Sequence, residues 1–409
     1  MNVIARSDDL RRENQRRILL ALLRSAPLSR TGLAAATGLS ASTVTAITSD
    51  LLEAGQLIES NAEAVGALKP AARRGRPQVA LARNPAAASI AALTITVNEL
   101  RADLVDYAGD TVCGLRLSVG TQSLGREAFV QNLIDLVKQL LVSAPPGSGP
   151  LSYIAVSVQG VVDAAGQVLN WSPLSSHRDI ELAAGLSQAF GVSASLMNDT
   201  NMIANALRHR EPERFQKNFA VVLLSYGIGM GLVLNGQVFA GAKTSGAEFG
   251  HMCHIIDGAL CRCGRRGCIE AYASEYGIWR TATGADQHHM PQHAPSQETM
   301  AQIARQAMQG DAAPINAYTA ASQALGHGLL NLFALIDPIP VAFVGSGILA
   351  FDLMEPIIRK TLSGPSIGLP NEGVPMYRYT DNLDLMYEGT IFTGLSKLDQ
   401  DVVSSEAHA

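Results

Sequence analysis

The apolar positions at the start of the chain fall on helical stripes. Ile18, Leu19, Leu22 and Leu23 share one face of a helix expected over Arg11–Ser25. Pro27 ends it, and Ser29 is placed to cap a second helix running through Leu33 to Thr37. Gly38 supplies a turn and Ser40 caps a third helix, with Val44, Ile47 and Leu51 on its inner face and Gly55 at its end. Helix, glycine turn and helix at this spacing form the helix-turn-helix pattern. Leu57–Glu59 and Gln78–Leu81 read as strands around a loop, which makes the domain winged. Residues 60–77, rich in Ala, Gly, Pro and Arg, read as wing tip or linker.

Beyond Asn84-Pro85 the pattern changes. Ile90–Val97, Ile154–Val158 and Ala220–Leu224 are continuous apolar runs suited to buried strands, and they alternate with helical periodicity. Leu133 to Val142 is amphipathic, and Ala144–Pro150 is a loop. Met300 to Leu335 is mostly helical, and Val341–Val344 reads as a strand. This reads as an α/β body, with two similarly built halves expected. The expected domains are 1–83, 84–200 and 201–409.

Composition adds that the chain is globular: 47% of its 409 residues are hydrophobic. No uninterrupted apolar run approaches the length that spans a bilayer, and the charged N-terminus does not read as a signal peptide, so a cytoplasmic protein is expected. Charge is divided unevenly. Residues 1–83 hold twelve Lys/Arg and seven Asp/Glu, leaving nineteen and twenty-nine for the remainder. A basic head on an acidic body points to a polyanion partner for the head alone. The third helix would enter the major groove of duplex DNA with Ser42, Thr43 and Thr45 exposed. Arg74 and Arg76, on the Arg73–Pro77 turn, are suited to a narrow minor groove.

Four of the five cysteines (Cys253, Cys261, Cys263 and Cys268) lie close together, and in a cytosolic chain such clustering points to a metal. Three thiolates and one imidazole, from His251, Cys261, Cys263 and Cys268, would make a closed tetrahedral Zn2+ site of the structural kind. Cys253 or His254 in place of His251 is the alternative.

With Gly250-His251 followed by Cys261-x-Cys263-Gly264-x-x-Gly267-Cys268-x-Glu270, and with Gly75-Arg76-Pro77 after the helix-turn-helix, the chain resembles the ROK family of repressors and sugar kinases over essentially its whole length. The resemblance implies an α/β fold: an N-terminal winged helix-turn-helix, then a two-lobed, actin-like body carrying a structural zinc loop over 248–270. It also implies that Asn198, Asp199, Glu248, His251 and Glu270 contact a hexose or hexose derivative, with Asp199 at the position of the kinases' general base. His251 would bind metal with one ring nitrogen and face sugar with the other. The partners implied are operator DNA and a second copy of the chain, as a homodimer or dimer of dimers.

Catalysis is not expected. Where the family's kinases have D-x-G-G-T, this chain reads Thr94-Ile95-Thr96-Val97-Asn98, and where they have G-T-G-x-G it reads Ser225-Tyr226-Gly227-Ile228-Gly229. Without glycine a turn cannot bring its backbone up to phosphate oxygens. The expected function is a sugar-responsive regulator, a repressor of carbohydrate genes. The rivals are an active sugar kinase fused to a DNA-binding head, and a repressor controlled by a sugar-transport protein.

Overall fold

The computed structural model describes residues 7–60, 79–96, 98–241, 246–289, 295–363 and 373–405. Arg74, Arg76 and the Gly75–Pro77 wing lie outside the described residues.

The head opens with α1 (Ser7–Ser25), a turn longer than its apolar stripe required. The short strand β1 (Leu28–Ser29) precedes α2 (Arg30–Thr37), α3 (Ala41–Glu53), β2 (Leu57–Ser60) and β3 (Ala80–Arg83). Ser29 caps α2 by accepting from the Gly32 amide, and Ser40 caps α3 by accepting from Thr43. Gly38 and Gly55 take the left-handed conformation that the turns after α2 and α3 require. Ile18, Leu19, Leu22, Leu33, Val44, Ile47 and Leu51 close one small core with Leu57 and Leu81. The strands pair in the order β1-β3-β2, so the wing gains a third strand that the apolar pattern of the sequence does not reveal. Ser40→Ala removes the cap that orients the first turn of α3, with an expected loss of about 1 kcal/mol in urea unfolding.

Next come β4 (Ser89–Ile95), β5 (Glu99–Asp106), β6 (Thr111–Ser118), α4 (Arg126–Val142), β7 (Leu151–Val158), β8 (Val161–Val162), β9 (Leu169–Trp171), α5 (Leu182–Phe190) and β10 (Ser193–Asn198). After them stand α6 (Asp199–Arg210), β11 (Phe219–Leu224), β12 (Ile228–Leu234), β13 (Gln237–Val238), α7 (Glu270–Ala273), α8 (Glu275–Thr283), α9 (Gln297–Gln309) and α10 (Ala312–Ile336). The chain closes with β14 (Val341–Val344), α11 (Phe351–Leu362), β15 (Met376–Tyr379) and α12 (Asn382–Ser405).

Two five-stranded sheets share one plan, β10-β7-β4-β5-β6 and β15-β14-β11-β12-β13. In each, the first strand is central, with an antiparallel meander on one side and a parallel strand on the other. The central strands β4 and β11 are buried along their whole length, which accounts for their unbroken apolar runs.

The chain divides into two compact units, one of Met1–Gly160, Ala165–Met197 and Thr390–Ala409, the other of Val161–Ala164 and Asn198–Gly389. Against the expected second lobe of 201–409, the end of α12 groups with the first unit. The physical reason is local. Leu395, Leu398 and Asp399 are buried there, with Asp399 bonded to Arg83 and Tyr107 of the first unit.

Candidate functional site

The second unit brings its polar chemistry to the ends of its parallel strands. β11 runs into Ser225-Tyr226-Gly227, and parallel β14 into Gly345-Ser346-Gly347. Such strand ends are where open α/β sheets place their ligands. The two turns touch, because a Cβ on Gly345 would stand 2.5 Å from the Leu224 carbonyl oxygen. Beside them β12 lies hard against the start of α6, where a Cβ on Gly231 would come within 2.4 Å of the Thr200 carbonyl oxygen.

Asn198 and Asp199 sit where β10 gives way to α6. The Asn198 side-chain oxygen is the helix cap, accepting from the amides of Thr200 at 3.0 Å and Asn201 at 3.3 Å. That oxygen therefore positions Asp199 first. Asp199 is 8% exposed. Burial pushes its carboxyl up to about 7, against the pull of the Thr200 amide, and the negative charge of Glu248 pushes the same way.

Glu248 precedes the short turn Phe249–His251. Its side chain is half exposed, with Oε2 3.9 Å from His251 Nε2. The other ring nitrogen of His251, Nδ1, stands 3.7 Å from Cys261 Sγ. One imidazole thus faces the acidic group with one edge and the thiols with the other.

The thiol loop is built by backbone geometry. Cys253 pairs with Cys268, and Leu260 with Arg266, as isolated antiparallel bridges. Gly267 has φ +75°, and a Cβ there would lie 1.6 Å from the Ile255 carbonyl oxygen, so only glycine closes the loop. Arg280, which the sequence did not single out, ties the loop down by donating to the carbonyls of Leu260 at 3.1 Å and Ala271 at 2.9 Å.

The ligand atoms of His251, Cys261, Cys263 and Cys268 all lie within 4.8 Å of one another. Cys263 and Cys268 Sγ are 3.8 Å apart. Tetrahedral Zn–S and Zn–N bonds of ordinary length place two sulfurs about 3.8 Å apart and a sulfur and nitrogen about 3.6 Å apart. The side chains present therefore fit such an ion, and the cluster can hold a metal. Cys253 is exposed and not among the four. Burial raises the Cys261 thiol, helped by the Glu270 charge, and raises Cys268 to about 11. A cation is what would favour the thiolates.

Glu270 is 4% exposed and occupied. Its Oε2 accepts from the Ile228 amide at 3.2 Å, and its Oε1 from the Tyr276 hydroxyl at 3.2 Å and the Cys261 thiol at 3.5 Å. Arg262 lies 3.6 Å from it and stacks 3.9 Å above the Tyr226 ring. Arg262 and Tyr276 are residues the sequence reading missed. The only available signal was the arginine inside the Cys-x-Cys step.

In the head, Ser42 and Thr45 are exposed on α3 and Thr43 is half-buried. Their hydroxyls already have local partners. Ser42 and Thr43 bond Ser40 Oγ at 2.9 and 2.8 Å, and Thr45 donates to the Ala41 carbonyl at 2.7 Å.

A winged helix-turn-helix followed by paired mixed sheets and a Cys/His cluster defines a DNA-binding protein with a sugar-kinase-like body. A ROK family model matches residues 92–365, and a winged helix-turn-helix DNA-binding model matches residues 11–58. The chain belongs to the ROK family. It is 26% identical to the xylose repressor of Bacillus subtilis over 336 residues, 82% of each chain. Among solved structures it resembles a ROK family transcriptional regulator described as a homologue of the E. coli Mlc protein (20% identity, TM-score 0.78, covering 97% of this chain and 99% of that one). It also resembles a ROK hexokinase of Thermus thermophilus, at 22% identity and TM-score 0.61, covering 76% of this chain and 99% of that one.

Proposed function

We propose that the chain is a sugar-responsive transcriptional repressor, acting in the cytoplasm as a dimer or dimer of dimers on an operator of two half-sites. The observation that carries this reading is the double placement of His251, between Glu248 and the thiol of Cys261, in a chain that also carries a DNA-binding head. A hexose or hexose derivative held by Asp199, Glu248, His251, Glu270 and Asn198 would be sensed by the same ring that ligates the ion. Zinc, held by His251, Cys261, Cys263 and Cys268, would supply a rigid structural clamp. Operator contacts are assigned to Ser42, Thr43 and Thr45 on α3 and to Arg74 and Arg76 in the wing. The relatives' description as a xylose repressor and a transcriptional regulator supports the regulatory role.

The same site argues against phosphoryl transfer. Aligned by sequence, Thr94 takes the position of the kinases' carboxylate; separately, Tyr226, with Arg262 over its ring, takes a position where their phosphate turn has a small residue. Retardation of the chain's own upstream promoter fragment, repeated against a sugar library, tests the reading. The expected result is a specific shift that weakens steeply with salt and changes when one sugar is added. Release of ADP with a hexose, abolished in Asp199→Ala, would overturn it in favour of an active kinase. Specific DNA binding indifferent to every sugar would instead favour control by a sugar-transport protein.

A further inference from the structure

His254 stands three residues after His251 and outside the set of four that gathers at Cys261. Its Nδ1 lies 3.3 Å from Nδ1 of His327, a residue of α10, and the two ring centres are 5.1 Å apart. Both residues belong to the unit of Asn198–Gly389.

The pairing is built by the packing around it. Gly328, the neighbour of His327, lets α10 come down on both ends of the thiol loop. A Cβ there would lie 2.4 Å from Ile269 Cδ1 and 2.7 Å from the Phe249 ring. The His254 amide donates to the Gly267 carbonyl at 2.7 Å, which fixes its backbone to the loop. Its ring meets Tyr272 edge to face, with centres 5.2 Å apart and planes at 78°. Tyr272 is held in turn, its hydroxyl accepting from the Ala259 amide at 2.8 Å.

The spacing of the two rings is that of ligands on one ion. With metal–nitrogen bonds of ordinary length, two imidazoles on a tetrahedral ion have these nitrogens about 3.3 Å apart and their ring centres about 5.2 Å apart. A straight N–H···N hydrogen bond as long as this contact would set the centres about 5.6 Å apart. His254 is half-buried and His327 is exposed, so an ion between them would have a side open to water. Water would then complete its shell, and such an ion exchanges, unlike one enclosed by four protein ligands. Imidazole nitrogens suit nickel, copper and zinc.

We propose that His254 and His327 form a second, exchangeable site for a divalent transition ion of this class, pinning the thiol loop to α10. The site is separate from the His251 and cysteine cluster and independent of the sugar-responsive function proposed above. An ion that binds only the folded chain there raises its unfolding temperature by mass action.

The test uses the full-length chain and its His327→Ala and His254→Gln variants, each passed over a chelating resin to strip loosely held metal. Ni2+ is the probe, so that elemental analysis tells it from zinc kept by the cysteines. In calorimetry the affinity of the unaltered chain for Ni2+ should exceed that of either variant about tenfold or more, and bound Ni2+ should fall by about one ion per chain in both. Zinc content should be the same in all three proteins, and the rise in unfolding temperature on adding Ni2+ should be confined to the unaltered chain. His327→Ala places a better helix former at an exposed position of α10, so its fold should be kept. Equal Ni2+ binding by all three proteins overturns the proposal, as does an unaltered chain that binds none. Zinc lost from His254→Gln, with Ni2+ binding undiminished in His327→Ala, would place His254 among the ligands of the thiol cluster and overturn it as well.

Discussion

Cys263→Ser is expected to reduce bound zinc from about one ion per chain to near zero and to cost the protein both folding stability and its response to sugar. The four ligand atoms are already gathered within 4.8 Å, so an ion would add its binding energy to a loop that is folded around it. Structural zinc sites contribute roughly 10–16 kcal/mol of apparent binding energy near neutral pH, which adds to the packing of Ala259, Cys261, Cys268 and Ile269 in the core. Losing one thiolate also uncouples Cys261 from its partners, and Cys261 accepts from Tyr276 and touches Glu270. The damage should therefore spread from the loop to β12 through the Ile228 amide that Glu270 holds. Elemental analysis of the purified variant, with thermal unfolding beside it, checks this. Unchanged metal content would remove Cys263 from the ligand set.

Asp199→Asn is expected to weaken sugar binding by roughly 10–150-fold, the range for losing a charged hydrogen-bond acceptor, while making the protein more stable above neutral pH. The sign follows from burial. The Asp199 carboxyl titrates at about 7 in the folded chain against 3.8 for the free group. Between those values the folded state holds the proton more tightly than the unfolded one. Stability from this group is therefore full at low pH and is lost as pH rises through 7. The penalty above that point is up to roughly 4 kcal/mol. Asparagine removes it, so the melting temperature should rise by about 5 °C at pH 8 and change little at pH 4. Sugar affinity of the unaltered chain should fall as pH drops below about 7, because the neutral acid is a poorer acceptor for a sugar hydroxyl. Calorimetric titration from pH 5 to 8 reads both effects. Affinity that stays flat across that range, and equal in the variant, would take Asp199 out of the pocket.

The trihelical head, the buried strands and the cysteine knot were legible in the sequence because each is a local property. Ser29 and Ser40 cap the helices that follow them within three residues. An apolar run such as Ala220–Leu224 reads as a buried strand whatever lies beside it, and the strand observed is Phe219–Leu224. The spacing of Cys261, Cys263 and Cys268 limits how far apart their sulfurs can be, and glycines at 264 and 267 allow the turns. The wing strand expected over Gln78–Leu81 runs on to Arg83, because its pairing with Leu57–Ser60 extends from Ala80 to Arg83; Gln78 lies outside the described residues. Pairing partners, not propensity, set that register.

The chain alone thus determined which segments fold, which residues cap them and which side chains can share an ion, all matters settled within about twenty residues of sequence. Only the tertiary structure decided that Glu270 holds the Ile228 amide across 42 positions and that Asp399 returns to grip Arg83 across 316 positions. No spacing rule links residues so far apart. Their meeting is fixed by how the sheets and helices pack, and packing is a property of volumes and buried partners rather than of order along the chain.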